Sequence, residues 1–275
     1  MQITLIIIPY LLLAINYLSL FLLGIASIFL LMRIYSAYVY KAPLDFSTIL
    51  YVFYIPELIT GPFRDYSSWN NKIERATLIA TSIKILYALI FILLSGFIYS
   101  KVIPFYNNIL YVSLITYLTL YIQFSFMSEL ANAISLFLGK SYVVNFNKPL
   151  LATSVNDFWT RWHVSLGMFS KKYINQPLTF YLSKKIKSKV VPYMASILIT
   201  FLFIGLWHNL SPNYLLFGLY FGIVVLLERQ FYSKVFNKVS NYKLRQISGI
   251  LYTQSVHLIG FSFVTEFVQK IIIQP

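Results

Sequence analysis

The chain has 275 residues, 59% of them hydrophobic and only 11% charged, against about 25% charged in a soluble domain, so it carries too little polar surface to dissolve in water. Its formal net charge is +14, yet the basic residues gather at the ends of apolar runs, which marks cytoplasmic loops and anionic headgroup contact and argues against nucleic acid as a partner. The lack of cysteine excludes disulfides, thiolate metal sites, palmitoylation and a cysteine nucleophile, so any thioester must come from a substrate or partner.

A hydrocarbon layer about 30 Å thick takes roughly 20 apolar residues as helix. The apolar runs are continuous rather than alternating, which selects helices over barrel strands. The first run, 3 to 32, lacks the basic start and cleavage site of a secretory signal and reads as a retained span, closed by Arg33 and Lys41. Phe46 to Phe63 is apolar and aromatic but interrupted by Pro56, Glu57, Gly61 and Pro62, which predicts a broken or re-entrant piece. Spans are predicted near 76 to 99 and 105 to 126, followed by an apolar stretch from Met127 to Val144. From Leu150 to Leu182 aromatic and polar residues mix, and no run is long enough to cross. Interfacial or re-entrant helices are expected there. The last spans are predicted near 190 to 207, 213 to 227 and 247 to 267. No internal repeat is visible, so the expectation is one domain over 1 to 275: an all-α integral membrane protein, a multi-helix bundle with re-entrant or interfacial helices around a buried tunnel. With Lys184, Lys185, Lys187 and Lys189 and the basic loop containing Arg229, Lys234, Lys238, Lys243 and Arg245 in the cytoplasm, the hairpin between them turns on the opposite face, at His208.

A titratable ring is costly to bury in hydrocarbon, so histidines in such a chain require a polar partner, a wet cavity or a reaction. His163 stands among Trp159, Arg161 and Trp162, with Asn156, Asp157 and Ser165 close enough in sequence to fix its tautomer. His208 follows Trp207 at a helix end, beside Asn209 and Ser211. His257 reads as a packed residue with one hydrogen bond, and Glu57 and Glu129 as structural carboxylates paired with basic or hydroxyl groups. A metal site is not expected, because no two histidines lie three to five residues apart. No Gly-x-Ser-x-Gly elbow of a serine hydrolase occurs.

Four ordered motifs sharpen the reading. Phe53-Tyr54-Ile55-Pro56-Glu57-Leu58-Ile59-Thr60-Gly61-Pro62, Asn145-Phe146-Asn147-Lys148-Pro149, Phe158-Trp159-Thr160-Arg161-Trp162-His163-Val164-Ser165-Leu166 and Gly205-Leu206-Trp207-His208 together resemble the membrane-bound O-acyltransferases, in the bacterial branch of alginate O-acetylation and D-alanyl-lipoteichoic acid transfer proteins. The resemblance is strongest over 46 to 230. It implies transfer of a short acyl group, D-alanyl or acetyl, from a cytoplasmic thioester donor, acyl-coenzyme A or an acyl carrier protein, to a hydroxyl of a cell-envelope or exported glycopolymer, in the bacterial cytoplasmic membrane. No permanently bound cofactor is implied. The family's essential histidine matches His208 and its second histidine matches His163, with Asn156, Arg161, Trp159 and Trp207 as candidate substrate-binding residues. Membrane lipid is a further expected partner. Relatives usually have more N-terminal helices, so a shortened member is expected. Phe124-Ser125-Phe126-Met127-Ser128-Glu129 and Asn209 depart from the family pattern, and the missing Gly-Gly-Asn-Arg segment favours D-alanyl over acetyl transfer. The alternative is a non-catalytic acyl channel or scaffold that hands the group to a separate extracytoplasmic transferase.

Overall fold

The computed structural model describes residues 26–58, 61–69, 77–102, 108–188, 190–236 and 240–272. Residues 3 to 25 of the expected first span, Lys189 and Lys238 lie outside them, as does the side chain of Lys234. Among the described residues every regular element is helical, and five helices are long and apolar enough to cross a membrane: Leu78–Lys101, Leu110–Phe137, Val191–His208, Pro212–Phe231 and Tyr242–Thr265. The chain is an all-α, multi-pass integral membrane protein. It forms two compact units, Met1–Val143 with Thr265–Pro275, and Val144–Val264.

In the first unit, α1 is described from Ala26 to Val39 and α2 spans Phe46–Val52, its first turn capped by the Asp45 carboxylate, which accepts from Thr48 N at 2.8 Å. The piece expected to be broken, Phe46 to Phe63, thus starts as α2 and continues into a single 3-10 turn, Ile55–Glu57, with Pro56 inside its first turn. Helix α3 (Leu78–Val102) and helix α4 (Ile109–Phe137) are the long spans of this unit. The sequence suggested that the second of these ends near 126, but α4 runs on to Phe137. No helix breaker lies between Phe124 and Phe137, and the helix stops only at Gly139, whose φ of 75° supplies the left-handed residue of a C-terminal turn, with Lys140 N donating to Ser135 O at 2.8 Å.

The segment around Pro56 is held by ions. Glu57, fully buried, accepts from Arg33 Nη2 at 2.6 Å on one oxygen and from Arg64 Nη2 at 2.8 Å on the other, and both guanidinium groups are themselves fully buried. Ser135 Oγ of α4 donates to the same carboxylate at 3.1 Å, Tyr54 Oη donates to Ser135 at 3.1 Å, and Arg64 Nη1 donates to Ser141 Oγ at 2.9 Å. Arg33 Nη1 also donates to the Tyr51 carbonyl at 2.6 Å. One carboxylate thus ties α1, the 3-10 turn, Arg64 and α4 together. Glu129, the other carboxylate read as structural, accepts from the Tyr142 hydroxyl.

The second unit begins with short helices where no span was expected: α5 (Val155–Trp159), α6 (Val164–Ser170), a π-helical turn (Lys171–Asn175) and α7 (Gln176–Lys185). The spans α8 (Val191–His208), α9 (Pro212–Phe236) and α10 (Tyr242–Ile272) follow. Helices α9 and α10 exceed their apolar windows because residues such as Glu228, Arg229 and Gln230 favour helix without being lipid-soluble. The α8–α9 hairpin closes to backbone contact. A Cβ on Gly205 would lie 2.2 Å from Tyr214 O, and one on Gly218 would lie 2.4 Å from Phe201 O. Small residues permit such approach in membranes.

Breaking a buried ion cluster by removing one partner typically costs about 3–5 kcal/mol, because it strands charge away from water. Glu57→Gln leaves two buried guanidinium groups without their carboxylate, so the expected outcome is loss of most folded protein in detergent size-exclusion profiles. Glu129→Gln, at a partly exposed hydrogen bond, should leave the profile unchanged. A monodisperse Glu57→Gln peak of wild-type height and melting temperature would contradict this role.

Candidate active site

The site is assembled from the loop Asn145–Pro149, α5, α6, α8, α9 and α10. Ser154 opens α5 by accepting from Asp157 N at 2.9 Å, while Asp157 accepts in return from Thr153 N at 3.2 Å, a variant of the reciprocal capping box. Buried Glu228 of α9 reaches the same end and accepts from Val155 N and Asn156 N, each at 2.6 Å. Helix α5 is thereby fixed to α9. Three residues beyond it the chain turns through Trp162 and His163, and His163 sits in the left-handed region at φ 46°, ψ 52° as it enters α6.

That conformation is rare for a residue with a Cβ. Here neighbouring hydrogen bonds accompany it. The loop Asn145–Pro149 runs alongside 161–165, with Asn147 N donating to Arg161 O at 2.9 Å and Val164 N donating to Asn145 O at 2.8 Å.

Aromatic rings bring the two histidines to one place. His163 lies edge-on to Trp207, with centroids 6.0 Å apart, and Trp207 lies 4.4 Å from the ring of His208. Tyr214 (5.8 Å) and Phe217 (6.3 Å) flank His208 from α9. Phe217 packs on Phe261 of α10 at 5.7 Å, and Phe261 packs on Trp162 at 5.9 Å, beside His163. Phe146 completes the circuit, 5.2 Å from Trp162 and 6.0 Å from His163. His163 is 9% exposed, and His208 is half-buried. Next to it, the Ser211 hydroxyl is buried with no hydrogen-bond partner among the described residues.

The remaining sequence candidates fall in different surroundings. Trp207 is part of the circuit. Trp159 packs instead against Phe201, Phe221 and His257, at 5.3, 5.0 and 5.9 Å. Asn156 donates to Glu228 from its side-chain nitrogen at 2.5 Å and accepts from Arg229 Nε at 2.8 Å. Arg161 pairs with Asp157 at 2.7 Å, part-exposed. Ser165 bonds to Asn145. His257 is fully buried on α10, with Nδ1 2.7 Å from Thr253 O and its ring against Phe158. The sequence did not single out Phe146, Tyr214, Phe217 or Phe261 as walls, because aromatics are common throughout the chain. Glu228 escaped notice for another reason. Its partners are more than 70 residues away, and only its position as a carboxylate near the end of an apolar run hinted at a role.

The sequence is similar to those of known proteins. Residues 35–267 match the profile of MBOAT, the membrane-bound O-acyltransferase family. The chain is 24% identical to a teichoic acid D-alanyltransferase of Bacillus subtilis, over 81% of this chain and 62% of that protein. It is 33% identical to a peptidoglycan O-acetyltransferase of Helicobacter pylori over 41% of this chain and 20% of the relative. It is also 32% identical to a probable alginate O-acetylase of Pseudomonas syringae, over 40% of this chain and 20% of the relative. The chain thus spans less than two thirds of the length of each of these relatives.

Burial holds His163 far below the ordinary imidazole value, at about 3, and the nearby His208 pushes in the same direction. In the unfolded chain the ring titrates near about 6.5. Between these values the unfolded chain takes up a proton that the native chain refuses, so stability is lost as pH falls below the unfolded value. From about pH 7 to 5 the His163 contribution amounts to about 2 kcal/mol. Denaturation followed at both pH values should therefore show a smaller acid-induced loss for His163→Gln than for wild type. Equal losses would contradict the buried neutral ring.

Proposed function

The chain belongs to the membrane-bound O-acyltransferase family, and we propose that it moves a short acyl group, D-alanyl in preference to acetyl, from a thioester donor on the cytoplasmic side to a hydroxyl of a cell-envelope glycopolymer. The observation that carries this reading is the meeting of His163 and His208 on either side of Trp207 within one aromatic wall. Water is scarce in such surroundings, so a proton released by an attacking hydroxyl needs a protein acceptor, and an imidazole provides one.

In the proposed reaction the acceptor oxygen attacks the thioester carbonyl carbon while His208 takes the hydroxyl proton. The tetrahedral intermediate then collapses, the C–S bond breaks, and the thiolate leaves with the proton that His208 held. General-base help of this kind is typically worth about 10²–10⁴-fold. Burial keeps His163 neutral, so it is suited to hydrogen-bond the carbonyl or the donor rather than to act as a fixed cation. Trp207 packs beside both rings. Asn156 and Arg161 serve the site through the α5 anchor, since their polar groups engage Glu228, Arg229 and Asp157.

A passage between the helices would admit the donor. Lys184 and Lys185 at the end of α7 are exposed and lie over Phe180 and Tyr181, at 4.2 and 4.6 Å from the ring centres. Such a face suits the phosphates of an acyl-coenzyme A or an acidic acyl carrier protein, as well as anionic lipid. Preference for D-alanine is supported by the Bacillus subtilis D-alanyl relative, whose similarity runs over 81% of the chain against 41% and 40% for the two acetylating ones compared. The proposed location is the bacterial cytoplasmic membrane.

His208→Ala removes one ring from a half-buried position and should leave the protein inserted and abundant. Alkali-labile acyl ester on envelope polymer, quantified in cells carrying wild type or variant, should fall by about two orders of magnitude or more. Near-normal ester at wild-type abundance would sink the general-base role and favour a channel that passes the acyl group to another transferase.

A further inference from the structure

We propose that Asn145 is the positioning residue of the site: it holds His163 in its left-handed backbone conformation and so aims the imidazole at Trp207 and His208. The role in turnover rests on the acyltransferase reading; the anchoring role does not.

Asn145 is 1% exposed and bonds the chain on the C-terminal side of His163 with both its backbone and its side chain. Its carbonyl accepts from Val164 N at 2.8 Å. Its Oδ1 accepts from Ser165 Oγ at 2.7 Å and from Ser165 N at 3.3 Å. These amides are the first two of α6, which no intrahelical carbonyl can serve. His163 itself gives α6 no side-chain cap. The cap is therefore supplied from the neighbouring loop, at positions 164 and 165, directly after the strained residue.

A left-handed residue with a Cβ persists only where its surroundings over-determine it. On the other side of His163, Arg161 O is held by Asn147 N at 2.9 Å. The strained residue is thus bracketed by hydrogen bonds from one loop. Were the bonds at 164 and 165 lost, relaxation of residue 163 towards the right-handed region would swing its Cβ away from Trp207. Asparagine supplies a neutral side-chain acceptor at a buried position. Alanine has none, while aspartate retains one.

The test uses the full chain in lipid nanodiscs, comparing wild type with Asn145→Ala, Asn145→Asp and Ser165→Ala. Hydrogen exchange at the Ser165 amide, which bonds the side chain of Asn145, should accelerate at least ten-fold in Asn145→Ala, stay near wild type in Asn145→Asp, and leave α8 and α9 unchanged. With an acyl thioester donor, kcat per folded molecule should fall at least ten-fold in Asn145→Ala with KM for the donor within two-fold, and Asn145→Asp should restore most of it. Should Asn145→Ala fail to accumulate, Ser165→Ala removes only the 2.7 Å hydroxyl bond and should show the same changes at about three-fold. Unchanged exchange at Ser165, or faster exchange there with unaltered kcat, overturns the proposal. Absence of transfer by wild type itself would overturn the acyltransferase reading, while the exchange data would still decide whether Asn145 anchors residue 163.

Discussion

Hydrocarbon offers no hydrogen bonds, so a polar group placed within a membrane protein must find its partner inside the chain. That constraint is met at three places among the described residues, around Glu57, Glu228 and Asn145. In the first unit a chain broken at Pro56 is held because Glu57 gathers Arg33, Arg64 and Ser135. In the second, the start of α5 is closed by Glu228 and the start of α6 by Asn145. Long-range side chains do the work that water does at helix ends in soluble proteins.

The same constraint bears on His163. Burial among aromatic rings keeps its imidazole neutral, with a ring N–H to donate. Closure of the wall depends on backbone contact in the α8–α9 hairpin, which Gly205 and Gly218 permit. The glycine of Gly205-Leu206-Trp207-His208 therefore has a physical purpose. It lets Tyr214 and Phe217 of α9 reach the ring of His208.

The sequence made the spans legible because a run of apolar residues has few other fates, and Pro56 with Gly61 and Pro62 made the broken segment legible too. Helix ends were less so. Hydropathy reports where lipid begins, whereas α4 stops where a left-handed glycine ends the hydrogen bonding. At the site, His163, His208 and Trp207 stood out as polar or amphipathic rings in apolar surroundings. The left-handed turn at His163 did not, since nothing in the residue type announces it. Nor did the sequence reveal the attachment of Asn156 to Glu228 and Arg229, because those partners become neighbours only once α9 packs against α5.

The central claim is that this chain transfers an acyl group to a hydroxyl at the paired histidines. The most direct measurement reconstitutes the purified chain in proteoliposomes with a radiolabelled D-alanyl thioester and a teichoic-acid-like glycopolymer, and follows label in alkali-labile ester on the polymer. The account predicts label that accumulates with time and with the amount of chain, and that is absent from protein-free vesicles. Correctly folded chain that leaves the polymer unlabelled, with either D-alanyl or acetyl donor, would contradict it.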